Sequence, residues 1–155
     1  MFKAALLCLT LLFTLPAYAG QTVVLVHGYL GDGSQWRYSG ISPSLHYSGW
    51  QAGGHLWPYG TQLYPPMQSD ADFHYTVSLF SEAPLMLQAQ QLASYLAMLQ
   101  QRHPENEMVL VGHSAGGVVA RLTMVLQPNF PIQGLITIAT PHLGTELAYT
   151  GLAIA

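Results

Sequence analysis

The sequence predicts an α/β fold with a mostly parallel sheet and helices on both faces. Three observations carry this. Apolar runs rich in Val, Ile and Leu lack the alternation of a half-exposed strand, so they suit strands buried on both faces. Segments with helical periodicity separate them, as βαβ crossovers require. Each run closes on glycine or proline, where a chain turns. The 155 residues are 50% hydrophobic and only 7% charged, against about 25% charged in an ordinary domain. That length suits one domain.

The N-terminus stands apart from this pattern. Lys3 is followed by an apolar run from Ala4 to Leu15, then Pro16 and Ala17-Tyr18-Ala19. A charged start, a short apolar core and an A-x-A site describe a secretory signal peptide. The run is too short for the ~20 residues that span a bilayer. Cleavage after Ala19 is expected, with export to a periplasmic or extracellular location. It would remove the only Lys and the only Cys, leaving three arginines against seven acids, a net charge of −4. No disulfide or thiolate metal site is then available. An acidic chain also lacks the basic face that nucleic-acid binding needs, so no such partner is expected.

The elements follow in order. Thr22–His27 reads as a buried strand ending in the glycine-rich turn Gly28–Gly33. Ser34 to Asp72 reads poorly: a short helix and a strand near Ala52–Trp57 are expected, with a loop at Tyr64-Pro65-Pro66. Its aromatic residues, Trp36 onward, suit a substrate pocket and core packing equally. Phe73–Phe80 reads as a strand. A helix is expected from Pro84 to about Arg102, capped by Ser81 or Glu82, with Leu85, Leu92, Leu96 and Leu99 as its core stripe. Met108–Val111 is a further buried strand, Ala115–Gln127 a helix stopped by Pro128, and Gly134–Ala139 another buried strand.

The chemistry sits at Gly112-His113-Ser114-Ala115-Gly116. This G-x-S-x-G pentapeptide lies between an expected strand and an expected helix. On such a turn the Ser backbone is strained and Oγ stands exposed above the sheet. The flanking glycines avoid collisions with strand and helix. The helix N-terminus offers free N–H groups and partial positive charge where an oxyanion would form. Ser114 is therefore the expected catalytic nucleophile. The oxyanion hole is expected from the N–H of Ala115 and from Tyr29, with Leu30 the near alternative. His27 reads as a packed histidine that holds this loop by hydrogen bonds. The seven histidines show no H-E-x-x-H or comparable pairing, so no metal site is expected.

These segments carry a resemblance. Val24-Leu-Val-His-Gly-Tyr29, Gly112-His-Ser-Ala-Gly-Gly117 and Ala139-Thr-Pro-His-Leu-Gly-Thr145 resemble the α/β-hydrolase fold, within it the lipases and esterases and the GPI inositol-deacylase-like group. The likeness runs from about Thr22 to Thr145 and is weak between Ser34 and Asp72. It implies a serine hydrolase of carboxylic esters that needs no cofactor, acting on a small-molecule or lipid ester, with transient contact to a membrane or lipid surface. An acyltransferase, an amidase or an inactive remnant are the alternatives. His142 and Glu146 are weak candidates for the remaining triad members. Their order departs from the Ser, acid, His succession of the family. The expectation is therefore a signal peptide over 1–19 and, over 20–155, the N-terminal part of an α/β-hydrolase domain, incomplete at the C-terminus, with the acid and the base beyond residue 155.

Overall fold

The structure, a computed structural model, describes residues 20–65, 71–146 and 148. The expected signal peptide and the C-terminal apolar run lie outside them. Ten elements follow one another: β1 (Gln21–Val26), α1 (Ser34–Tyr38), α2 (Ile41–Tyr47), β2 (Gln51–Trp57), β3 (Gly60–Leu63), β4 (Phe73–Val77), α3 (Leu85–Arg102), β5 (Glu107–His113), α4 (Ala115–Leu126) and β6 (Ile132–Ile138). The six strands form one sheet in the order β3-β2-β4-β1-β5-β6. Every neighbouring pair is parallel except the β2–β3 hairpin.

β1 lies inside the sheet between β4 and β5, and its side chains alternate between two cores. Val24 and Val26 join Phe73, Tyr75, Val77, Met108 and Leu110, covered by Leu92, Leu96 and Leu99 of α3 and by Val119 and Ala120 of α4. Val23 and Leu25 face the other way, onto Trp36 of α1, with Leu45, Trp50, Val109 and Val111 packed around them. Helices therefore cover both faces, as the unalternating strands predict. Each fully buried Leu or Phe contributes roughly 1.5–3 kcal/mol of transfer free energy.

Four expectations need correction. The cap of α3 is Pro84 itself, without a side-chain hydrogen bond. Ser81 and Glu82 lie further upstream, in the turn closed by Ala83 N–H to the Phe80 carbonyl. Instead, Gln88 Nε2 reaches back to the carbonyls of Ser81 and Ala83. Leu85 is 42% exposed, because it opens the first turn beyond the core. β6 is longer than expected and only half-buried: Ile136 and Ile138 are 55% and 42% exposed. It forms the edge of the described sheet, and its Ile132 and Leu135 pack against the α3–α4 core. The poorly read stretch holds two helices rather than one, and β3 pairs back on β2.

Two buried histidines tie helices to β4. Ser42 Oγ of α2 meets His74 Nε2 at 2.8 Å. At the end of α3, the Tyr75 hydroxyl bonds His103 Nε2 at 2.7 Å and accepts from Arg102 Nε.

Candidate active site

Ser114 stands between the last residue of β5 and the first of α4, with φ 53° and ψ −129°. A non-glycine residue there stores on the order of 1–3 kcal/mol, which surrounding structure must hold in place. That structure is visible. Ser114 N–H donates to the Ile138 carbonyl of β6 at 2.8 Å. A Cβ on Gly112 would meet the Gly117 backbone, and one on Gly116 would meet the Val26 and His27 carbonyls. One on Gly117 would meet the Thr140 side chain. Gly112 and Gly116 are thus places where strand and helix touch backbone to backbone, and Gly117 makes room for the Thr140 side chain.

The loop after β1 comes directly alongside. An added Cβ on Gly28 would lie 2.9 Å from Ser114 Cβ. Gly31 N–H closes a turn onto the Gly28 carbonyl at 3.1 Å, with Tyr29 and Leu30 between them. Among the described residues, the N–H groups of Tyr29 and Ala115 have no hydrogen-bond partner. Ala115 opens a 12-residue helix, whose N-terminal dipole favours negative charge. Among the described residues, the non-glycine residues with positive φ are Leu30, Ser114 and Ala139. All three follow the carboxyl ends of adjacent strands, β1, β5 and β6, and such strain gathers at functional sites.

His27 is 2% exposed. Its Nε2 accepts from Leu79 N–H at 2.8 Å, so Nδ1 carries the proton and donates to the Gly28 carbonyl at 2.8 Å. Burial lowers its pKa, against those hydrogen bonds. It is a neutral loop anchor.

His142 follows β6. It is exposed, its Nε2 sits 3.2 Å from Thr137 Oγ1, and it lines a groove of about 570 Å³ with Arg121, Met124, Val125, Leu135 and Thr137. Glu146 follows on the exposed segment after β6. Neither bonds Ser114, whose Oγ has no hydrogen-bond partner among the described residues. No group of three His, Cys, Asp or Glu converges among the described residues to hold a metal.

Sequence reasoning missed a polar cluster behind the β1 loop, built from Arg37, His55, Thr76 and Ser78. No motif marks it, because its members come from α1, β2 and the end of β4 and meet only when β2 and β4 pair. The tryptophans serve packing here: Trp36 is buried, and Trp57 stacks on His55 with centroids 5.4 Å apart.

Known proteins resemble this chain in sequence and in fold. The chain is 35% identical to a GPI inositol-deacylase of Debaryomyces hansenii, over 52% of this chain and 8% of that protein. Its fold resembles a Bacillus licheniformis lipase in mature form, with TM-score 0.63, 22% identity, and 89% of this chain against 47% of the lipase. A gene product of Listeria innocua gives TM-score 0.63 at 18% identity, covering 79% of this chain and 52% of the other. The chain thus spans about half the length of these solved structures and under a tenth of the deacylase. The sheet is that of the α/β-hydrolase fold. The description of a PGAP1-like alpha/beta domain matches residues 17–152, and the chain belongs to that family.

Proposed function

We propose that this domain is a serine hydrolase of carboxylic esters, lipase- or esterase-like. Ser114 is its nucleophile, and the N–H groups of Tyr29 and Ala115 form its oxyanion hole. One observation carries the reading: a strained Ser114 at a helix N-terminus, packed against the loop that holds Tyr29. Ser114 Oγ attacks the acyl carbonyl while its proton passes to a base. The carbonyl oxygen becomes an oxyanion held by the two N–H groups. Collapse expels the alcohol, which takes the proton, and water then cleaves the acyl-enzyme.

The base must be a group that can reach Ser114. His142 is engaged by Thr137 beside α4, so we assign the base to polypeptide outside Met1–Ala155. The greater length of the relatives supports this. A deacylase among them favours an acyl ester substrate, whether small or lipid. Exposed Tyr29, Leu30, Phe80 and Leu143 follow the carboxyl ends of β1, β4 and β6, where they suit transient contact with a lipid surface. Export follows from the N-terminal signal. The test is hydrolysis of short p-nitrophenyl esters by the full-length gene product. Ser114→Ala should abolish it, and unchanged turnover in that variant would refute the assignment. Added alcohol, if it diverted the acyl group from water, would reveal a transferase.

A further inference from the structure

The loop from Gly28 to Gly33 is held at both ends by one short segment, Ser78–Leu79, which follows β4. At the loop's start, Leu79 N–H bonds His27 Nε2, and His27 Nδ1 bonds the Gly28 carbonyl, each at 2.8 Å. At its end, Gly33 N–H donates to Ser78 Oγ at 3.0 Å. Ser78 Oγ in turn lies 3.2 Å from His55 Nε2. His55 Nδ1 lies 2.9 Å from the Thr76 carbonyl, which can only accept, so Nδ1 carries the proton. Nε2 is then left as the acceptor, and the Ser78 hydroxyl donates to it.

Packing closes the same clamp. The His55 ring occupies the space that a Cβ on Gly33 would need, its Nδ1 2.9 Å from that point. Arg37 Nη1 donates to Thr76 Oγ1 at 3.0 Å and approaches the Gly33 carbonyl at 3.4 Å. Trp57 stacks on the other side of the His55 ring at 14°. The charged and titratable groups near His55 are Arg37, Asp32 and His27.

Neither His55 nor Ser78 hydrogen-bonds Ser114 among the described residues. Between its two fixed ends lies the Gly28–Gly31 turn that presents Tyr29. We propose that His55 and Ser78 are positioning residues for ester hydrolysis, setting the Tyr29 N–H against the oxyanion by fixing the far end of its loop. This rests on the reading of Tyr29 as an oxyanion donor. Loss of a whole oxyanion donor costs about 10²–10³ in kcat. A loosened donor costs a fraction of that, and the loss falls on kcat because the oxyanion exists only in the transition state.

The test has two arms. The first measures amide hydrogen exchange of residues 28–33 in the chain itself, which needs no turnover. Ser78→Ala and His55→Phe should speed exchange there while far-ultraviolet dichroism stays that of wild type, and Ser78→Thr, which keeps the hydroxyl, should restore protection. The second measures ester hydrolysis by the full-length gene product. Ser78→Ala and His55→Phe should lower kcat about 10-fold, leave KM within twofold, and be rescued by Ser78→Thr. Wild-type exchange in folded Ser78→Ala would overturn the clamp. Faster exchange with unchanged kcat, or an equal loss in Ser78→Thr, would overturn its positioning role. Turnover that survives Ser114→Ala would bring down the nucleophile assignment instead, and the exchange arm would then decide the clamp alone.

Discussion

Gly116→Ala is the sharpest probe of the contact between the nucleophile turn and the β1 loop. An added Cβ would lie 2.8 Å from the Val26 carbonyl oxygen and 2.9 Å from the His27 carbonyl carbon, with the His27 oxygen nearer still. Ordinary contact begins at 3.4 Å, so β1 and α4 must separate by at least 0.6 Å. Both neighbours are backbone, in the middle of the sheet and at a helix start, so neither can swing aside. Overpacking of this kind costs about 1–3 kcal/mol, or roughly 2–12 °C in Tm for a domain of this size. The separation also draws Tyr29 away from Ser114, and a misplacement near 1 Å can cost about 10²-fold in rate. Gly134→Ala is the control. It lies in β6, and its Cβ would meet nothing within 4 Å. Ala there should leave stability unchanged or raise it by about 0.5 kcal/mol. Thermal and urea denaturation of both variants, followed by circular dichroism, measures the difference. Equal midpoints for the two would refute the close approach and with it the argument for the site's geometry.

Three further predictions follow from the same structure. Burial holds His74 and His103 down to about 4 from 6.5; His46 adds to the first effect and Arg102 to the second. The unfolded chain therefore binds more protons between those values, and stability complete above pH 6.5 should fall as pH drops toward 4, by about 3 kcal/mol per histidine. Urea midpoints across that range should decline, less steeply in His103→Gln. Purified Gly20–Ala155 should show negligible ester turnover, because no histidine among the described residues bonds Ser114; robust turnover lost in His142→Ala would make His142 the base. Exported protein should begin at Gly20 on N-terminal sequencing, and cytoplasmic protein with Met1 intact would contradict the signal.

Much of this was legible in the sequence, for identifiable reasons. β1, β5 and their following turns read clearly because both faces of each strand are apolar and glycine punctuates each end. Ser114 stood out because its pentapeptide sits between a strand and a helix. β6 misled because Ile132–Ile138 is as apolar as β5, yet an edge strand shows one side to solvent. The cap of α3 misled because Gln88, inside the helix, takes the upstream carbonyls. The Arg37, His55, Thr76 and Ser78 cluster was invisible, since α1, β2 and the end of β4 bring its members together only in the fold. Its partner His27 was legible, since it sits in the same run as the loop it anchors.

The central claim is that Ser114 is the nucleophile, and covalent capture tests it most directly. The full-length gene product would be treated with a fluorophosphonate ester, digested, and mapped by mass spectrometry. The account predicts a single phosphonyl adduct on Ser114, absent from Ser114→Ala. An adduct on another residue, or equal labelling of wild type and Ser114→Ala, would contradict it.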